Sequence, residues 1–132
     1  MSVKISGKVA TGKGLGAGFT RTEWAVQIFE GEYGIDPYPG TLNVIVSPTS
    51  LPGWQNVAAQ GRRFKAPSDD WCDAKCFVVR MEHGHNHAKG VIVLPMVTDY
   101  PPNQVEIVAE VNLRRHFALD DGDTVTLLIE PA

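Results

Sequence analysis

The distribution of glycine and proline constrains the fold of this chain more than any other sequence feature. The 132 residues include 13 glycines and 9 prolines, which is too many for a helical bundle and favours short strands joined by specific turns. Six segments have the length and apolar character of strands: residues 3–9, 41–46, 75–82, 89–94, 104–108 and 124–129. Because a closed or nearly closed barrel protects the edges of so many short strands, we predict one all-β domain over residues 1–132.

Two short helices complete the predicted elements. One begins at the N-cap Thr22 and ends near Gly34, and the other spans residues 112–119. The third and fourth strands are predicted to form a hairpin with Gly84 near its tip, and residues 47–53 to form a loop. No repeat or low-complexity tract divides the sequence, so no domain boundary is predicted.

The charge balance and the apolar segments exclude several classes of protein. Twelve basic and fifteen acidic residues give a formal net charge of −3, whereas binding along nucleic acid or a membrane surface requires a basic excess. The apolar stretch at residues 91–97 is interrupted by Pro95 and is far shorter than the roughly 20 residues of a membrane helix. The start of the chain lacks the apolar core of a signal peptide. We therefore expect a cytoplasmic protein with neither nucleic acid nor membrane as a partner.

The first segment that carries chemistry is the glycine-rich stretch at residues 12–18, which reads GKGLGAG. Four glycines at spacing two allow successive backbone N–H groups to turn inward and form a concave site for an anion. The stretch is neither a Walker A loop, because no Lys-Ser/Thr pair closes it, nor a G-x-G-x-x-G dinucleotide motif. The alternative interpretation is a flexible loop between strands.

The second segment is PYPGTLNV at residues 37–44. A proline-rich turn leads into a strand, where Thr41 and Asn43 point to the same face because they lie two residues apart. Their hydroxyl and amide oxygens are hard donors, and Mg²⁺ takes few protein ligands beside phosphate oxygens and water. The alternative is a turn whose polar groups satisfy local backbone donors.

The third segment covers residues 97–119. Glu106 lies inside an apolar strand, so its carboxylate faces either solvent or a cavity, and alternation does not decide between them. Asn112, Arg114 and Arg115 lie on the first turn of the predicted short helix, in position to bind a phosphate or a base edge. A solvated helix face is the alternative.

In this order and at these separations, the three segments resemble the archaeal-type CTP-dependent riboflavin kinases. The matching motifs read G-L-G-A-G, P-Y-P-G-T-L-N and L-R-x-x-F-x-L-x-D-G-D in this chain, and the resemblance extends over nearly its whole length. It implies a six-stranded cradle-loop β-barrel that transfers the γ-phosphate of CTP to the 5′-hydroxyl of riboflavin, giving FMN and CDP. The implied protein is a monomer or a small homo-oligomer.

The resemblance also implies roles for individual residues. Thr41 and Asn43 would bind Mg²⁺, and Thr98 and Glu106 would contact riboflavin. Glu106 is the carboxylate expected to orient the hydroxyl or accept its proton. The nucleotide would be bound by the following residues: Gly14, Leu15, Gly16, Ala17, Gly18, Phe19, Thr20, Val111, Asn112, Leu113 and Arg114.

Three of these positions depart from the family pattern. Ala17 stands where an acidic residue is common, and Phe19 and Asn112 stand where basic residues are common. The departures leave open which nucleotide donates the phosphate and which molecule accepts it. The alternatives are a nucleotide-dependent kinase of another small alcohol and a non-catalytic module that binds a nucleotide or a flavin.

The histidines and cysteines suggest a second, weaker hypothesis. His83, His85 and His87 recur at spacing two, and with Cys72 and Cys76 they have the residue types of a zinc site. Turn residues between the histidines break the alternation, however, so three exposed histidines at a loop tip are the preferred interpretation. Free thiols are expected for the two cysteines.

Overall fold

Alternating apolar side chains give the strands of this protein a buried face, and six paired strands close that face into a barrel. The structure is a computed structural model that describes residues 2–12 and 19–130. Its strands are β1 (Val3–Ala10), β2 (Leu42–Val46), β3 (Arg62–Phe64), β4 (Ala74–His83), β5 (Asn86–Pro95), β6 (Gln104–Val108) and β7 (Thr124–Ile129). Its helices are α1 (Glu23–Val26), which continues as a π-helical turn (Gln27–Glu32), α2 (Leu51–Ala58) and α3 (Leu113–His116).

The strands pair in an antiparallel manner around the barrel in the order β4–β5–β6–β2–β1–β7. The ring closes where β7 pairs with β4, with Val79 opposite Ile129. Strand β3 extends the sheet beside the first residues of β4, with Arg62 opposite Cys76. Closure pairs both edges of each barrel strand, which is the reason for expecting a barrel from many short strands. The predicted six-stranded β-barrel is confirmed.

Two apolar clusters lie on opposite sides of the barrel wall. Interior residues include Ile5, Val44, Phe77, Ile107 and Leu127. Trp54 of α2 packs into this interior cluster. Phe29 of the π-helical turn packs on the outside, in a cluster with Val91 and Val93 of β5. Strand β5 therefore buries both of its faces there, which explains why its sequence is a continuous apolar run instead of an alternating one.

The hairpin predicted between the third and fourth sequence segments is confirmed. Strands β4 and β5 pair up to His83 opposite Asn86. The two residues between them begin with Gly84, whose φ of +61° lies in the left-handed region. Glycine at the first position of a two-residue hairpin loop adopts this conformation without steric cost.

The loop predicted at residues 47–53 is wrong in its last part, because α2 begins at Leu51. Pro52 lies in the first helical turn, where proline is tolerated because the first N–H groups of a helix have no partner within it. Trp54 and Val57 lie three residues apart and are both buried, so one face of the helix is apolar. Pro52, within the predicted loop, therefore lies at a helix start.

The two predicted helices are present with different bounds. After Val26 the first helix continues as the π-helical turn. The second covers four residues of the predicted 112–119, because Ala118 adopts a φ of +52° and the chain turns away. The three-residue strand β3 was not predicted, since so short a segment shows no periodicity. Among the described residues, no helix has the length and apolar character needed to cross a bilayer.

Candidate functional site

The outer faces of β2 and β6 carry a row of polar side chains at the centre of the candidate site. Strand alternation directs Leu42 into the barrel and leaves Thr41 and Asn43 on the other face. On β6, the same alternation leaves Gln104 and Glu106 outside. Asn43 lies directly opposite Glu106 in the register of the two strands, so the four polar residues share one surface.

Hydrogen bonds join these side chains and Tyr100 into a polar chain of five residues. The hydroxyls of Thr41 and Tyr100 donate to the two oxygens of Glu106, at 2.9 Å to Oε1 and 2.7 Å to Oε2. Nε2 of Gln104 donates to Oδ1 of Asn43 at 3.1 Å and to the Tyr100 hydroxyl at 3.4 Å. Burial, followed by the hydrogen bond to Glu106, raises the pKa of Tyr100 above its usual value of 10.0. Tyr100 therefore acts as a neutral donor.

Two cavities meet at this polar chain, and Thr41 lines both of them. The first cavity has a volume of about 290 Å³ and the second about 300 Å³. The first lies among the end of β1, the turn before β2 and α3. The second lies among Phe19, the segment before β4 and the segment after β5. A group transferred between ligands in the two cavities would pass Thr41.

The described lining of the first cavity includes oxygen donors and the cation Arg114. Arg114 of α3 lines it and donates to Oδ1 of Asp121 at 2.8 Å and to the carbonyl of Ala10 at 3.4 Å. The hydroxyl of Thr11 donates to Oδ2 of the same aspartate at 2.6 Å. These hydrogen bonds from Thr11 and Arg114 hold the pKa of Asp121 below its usual value of 3.8. The guanidinium is thus held beside a cavity of a size and polarity suited to a nucleotide.

Thr41 and Asn43 fit a magnesium ion by the chemistry of their donors. The Thr41 hydroxyl uses its proton on Glu106, which leaves its lone pairs for a cation. Asn43 packs against Gly12, where a Cβ atom would overlap its amide group. Two neutral oxygens leave most of the coordination shell for phosphate oxygens and water, as Mg²⁺ prefers.

The second cavity is mainly aromatic and aliphatic. Phe19 and Trp71 line it with ring centroids 6.2 Å apart, and Val93 and Val97 extend the apolar wall. Glu106 belongs to the wall shared with the polar chain. Such a cavity suits a flat, apolar ring system that carries a polar tail toward the carboxylate.

The structure brings together most of the residues expected to form the site. Thr41, Asn43, Val111, Asn112, Leu113 and Arg114 line the first cavity, and Glu106 lines the second. Phe19, expected beside the nucleotide, lines the second cavity. Thr20 is buried and accepts a hydrogen bond from the Gly40 N–H at 2.9 Å, while Thr98 is exposed and is not among the lining residues. Gly14, Leu15, Gly16, Ala17 and Gly18 lie outside the described residues.

Sequence reasoning missed Tyr100, Gln104 and Trp71. Gln104 and Glu106 are spaced by two, as Thr41 and Asn43 are, so the pairing of their strands would have indicated Gln104. Tyr100 lies in the loop before β6 and Trp71 in the loop before β4, where no periodicity indicates the direction of a side chain. Only the tertiary structure places these two aromatic residues.

The histidines and cysteines of the weaker hypothesis lie in unrelated surroundings. Nδ1 of His83 lies 3.1 Å from the Thr124 carbonyl, while His85 and His87 are exposed. Both cysteines are free, and burial raises the pKa of the Cys76 thiol to about 12. Within residues 2–12 and 19–130, no group of three or more His, Cys, Asp or Glu side chains has the arrangement of a metal site.

Comparison with known proteins finds similarity over nearly the whole chain. The family model of the CTP-dependent riboflavin kinases, described as a domain of unknown function (DUF120), matches residues 9–129. The riboflavin kinase of Methanocella arvoryzae is 36% identical over 126 residues, which are 96% of this chain and 56% of that protein. For the riboflavin kinase of Methanobrevibacter smithii the identity is 35% over 125 residues, which are 95% of this chain and 98% of the relative. The chain thus spans little more than half of the first relative and nearly all of the second.

Proposed function

Because the chain belongs to the family of CTP-dependent riboflavin kinases, we propose that it transfers the γ-phosphate of CTP to the 5′-hydroxyl of riboflavin. The products are FMN and CDP. The observation that carries the proposal is the pair of cavities that meet at Thr41, one lined by polar and apolar groups alike and one mainly apolar. A kinase needs two adjoining sites of this kind, because donor and acceptor must be held in line.

CTP occupies the first cavity in this proposal. Arg114, held by Asp121, supplies positive charge to the nucleotide, and Asn112 and Leu113 line the same wall. The phosphates extend toward Gly12, which lines this cavity. We assign binding of the phosphates to the backbone of Gly14, Leu15, Gly16, Ala17 and Gly18, as expected from the sequence.

Riboflavin occupies the second cavity, with its ring system among Phe19 and Trp71 and its ribityl chain toward Glu106. Phe19 replaces the basic residue common at this position, and its place in the apolar wall supports an aromatic acceptor over another small alcohol. Thr98, in the exposed turn that follows β5, is proposed to contact the outer part of the flavin.

The chemical step forms a bond between the ribityl oxygen and the γ-phosphorus and breaks the bond between that phosphorus and the β–γ bridging oxygen. Thr41 and Asn43 hold Mg²⁺, which supplies charge neutralisation on the phosphoryl group when bound. Both Glu106 oxygens already accept hydrogen bonds from hydroxyls. Each oxygen keeps a lone pair for a further donor, so we assign Glu106 the role of orienting the acceptor hydroxyl and receiving its proton as the bond forms.

The exposed apolar side chains support a monomer or small homo-oligomer acting on small molecules. Within the described ranges, the exposed large hydrophobic residues are Tyr38, Trp71, Val97 and Val111. Each of them lines one of the two cavities. Bound ligands would cover these residues, and CTP and riboflavin accord with the cytoplasmic location expected from the sequence.

The direct test is incubation of the protein with CTP, Mg²⁺ and riboflavin, followed by chromatographic detection of FMN and CDP in equal amounts. Parallel reactions with ATP or GTP in place of CTP test the donor. Formation of FMN only with CTP would support the whole proposal. Binding of CTP without binding of riboflavin would favour another acceptor, and binding of both without turnover would favour a non-catalytic module.

A further inference from the structure

Gln104 links Asn43 to Tyr100 in the polar chain. The side-chain amide nitrogen has two N–H donors, and they are directed to two different residues. One is directed to Oδ1 of Asn43 at 3.1 Å and the other to the hydroxyl of Tyr100 at 3.4 Å. Gln104 therefore contacts one residue of the first cavity and one residue of the second.

The pairing of β2 and β6 explains how one side chain reaches both directions. Asn43 faces Glu106 across the two strands, and Ile45 faces Gln104. Gln104 is thus the diagonal neighbour of Asn43, a separation that long side chains span in an antiparallel pair. Tyr100 lies in the loop before β6, and its hydroxyl is within hydrogen-bonding distance of Gln104.

On the first side, Gln104 determines how the amide of Asn43 is turned. Its N–H donor requires the carbonyl oxygen of Asn43, not the amide nitrogen, on the side facing β6. The amide group of Asn43 also packs closely against Gly12. One lone pair of the carbonyl oxygen is thereby used, and the other remains for a cation.

On the second side, Gln104 helps to fix the position of the Tyr100 hydroxyl. This hydroxyl accepts from Gln104 at 3.4 Å and donates its proton to Oε2 of Glu106 at 2.7 Å, because a carboxylate only accepts hydrogen bonds. With Thr41 on the other oxygen, both hydrogen bonds to the carboxylate have a defined direction. The carboxylate plane is thus held from two sides.

We propose that Gln104 is a positioning residue that orients the metal ligand Asn43 directly and the acceptor-side carboxylate Glu106 through Tyr100. This inference rests on the proposed function, since it concerns the orientation of groups toward Mg²⁺ and riboflavin. Its distinguishing consequence is an asymmetry between two variants. Loss of the Gln104 amide affects both cavities, whereas loss of the Tyr100 hydroxyl affects the second cavity alone.

The test uses Gln104→Met, which keeps the length of the side chain and removes both donors, and Tyr100→Phe. The matched controls are Gln60→Met on the surface and Tyr33→Phe, both away from the cavities. Binding of Mn²⁺ to the protein–CDP complex is measured from the electron paramagnetic resonance signal of free Mn²⁺. Binding of riboflavin is measured from its fluorescence, and each variant's melting temperature is recorded.

For Gln104→Met we expect the dissociation constants of both Mn²⁺ and riboflavin to rise about five-fold, the effect of one lost hydrogen bond. For Tyr100→Phe we expect a similar rise for riboflavin and a change of less than about two-fold for Mn²⁺. The controls leave both constants unchanged. Metal-free CDP binding also stays unchanged in all four variants.

Two results would overturn the inference. If Gln104→Met binds Mn²⁺ and riboflavin as the parent protein does, Gln104 positions neither group, and the proposed function stands. If Tyr100→Phe weakens Mn²⁺ binding as much as Gln104→Met does, Gln104 does not orient Asn43 independently of Tyr100. Failure of the parent protein itself to bind Mn²⁺ with CDP would contradict the proposed function as well, so the two failures are distinguishable.

Discussion

The two cavities on either side of Thr41 differ in chemistry although the same pair of strands separates them. The first presents Asn43, Asn112 and Arg114, and the second presents Phe19 and Trp71. Strands β2 and β6 supply the shared polar wall, while the connecting segments and α3 supply what distinguishes the cavities. For the proposed function, the barrel therefore fixes where transfer takes place, and the loops determine what is bound on each side. Four substitutions test this division, beginning with the residue common to both cavities.

Thr41→Val has the largest expected effect because it removes the one hydroxyl that both cavities share among residues 2–12 and 19–130. The variant loses a proposed oxygen ligand for Mg²⁺ and a hydrogen-bond donor to Glu106. We expect kcat to fall about 100-fold or more, the usual cost of removing a group that stabilises transition-state charge. Steady-state kinetics with each substrate varied provide the measurement. A fall limited to two-fold would show that the cavities do not meet functionally at Thr41.

Gly12→Ala changes the first cavity alone. The added Cβ would overlap the Asn43 amide, so we expect the efficiency toward CTP to fall about 30-fold through misplacement of a proposed metal ligand. Riboflavin affinity, measured by fluorescence, stays within about two-fold, because Gly12 does not line the second cavity.

Gly31→Ala is the matched control for that substitution. Its Cβ would meet no atom within 4 Å, and it lies in the π-helical turn (Gln27–Glu32). We expect unchanged kinetics and a gain in unfolding free energy of about 0.5–1 kcal/mol, because alanine restricts the unfolded chain. Equal losses of activity in the two glycine variants would contradict the packing argument for Gly12.

Trp71→Ala changes the second cavity alone. The indole is 39% exposed and packs beside Phe19, so its loss removes ring surface from the proposed flavin site without emptying the core. We expect the dissociation constant of riboflavin to rise about ten-fold. That of CTP should not change. Trp71→Phe restores most of the affinity if stacking is the cause, and an equal loss for both substrates would show that the cavities are not separate.

Asp121→Asn has the smallest expected effect and again concerns the first cavity. The carboxylate is exposed, so its pairing with Arg114 is screened by solvent, and we expect about a three-fold weaker binding of CTP. Hydrogen bonds from Thr11 and Arg114 lower the pKa of Asp121 in the folded protein. The contribution of the Asp121 carboxylate to folding stability is therefore fully present above pH 3.8 and is lost as the pH falls through the lower, folded-state pKa.

Measurement of the free energy of unfolding at a series of acid pH values checks the direction of this effect. The parent protein is expected to lose stability below pH 3.8 by slightly more than the Asp121→Asn variant, in which that ionisation is absent. A larger acid loss in the variant would contradict the assignment. Riboflavin binding near neutral pH serves as the control, because Asp121 does not line the second cavity.

The barrel was predictable because the patterns that indicate strands and hairpins are found in neighbouring residues of the sequence. Period-two alternation in β1 and β2, and glycine at the hairpin tip of β4 and β5, are properties of neighbouring residues. The start of α2 was not predictable in the same way, because Pro52 has opposite meanings inside a helix and in its first turn. The difference is decided by whether Trp54 finds a buried position, which is a tertiary property.

The residues of the candidate site likewise fall into those indicated by local sequence patterns and those placed only by tertiary packing. Thr41, Asn43 and Glu106 were identified from strand spacing and from motif resemblance. Tyr100 and Trp71 were not, because each lies in a loop whose path depends on the packing of the strands around it. Phe19 was assigned to the nucleotide by its place in a motif, while the folded chain places it beside Trp71 in the other cavity.

The sequence by itself determined that this chain forms a barrel of short strands, that Thr41 and Asn43 share a face, and that the family is that of the CTP-dependent riboflavin kinases. These conclusions follow from backbone periodicity, turn chemistry and motif order, all of which are properties of the linear sequence. Only the tertiary structure decided that two cavities meet at Thr41 and that Gln104 contacts both sides of the polar chain. Those relations depend on the register of β2 against β6, which brings residues about 60 positions apart within hydrogen-bonding distance.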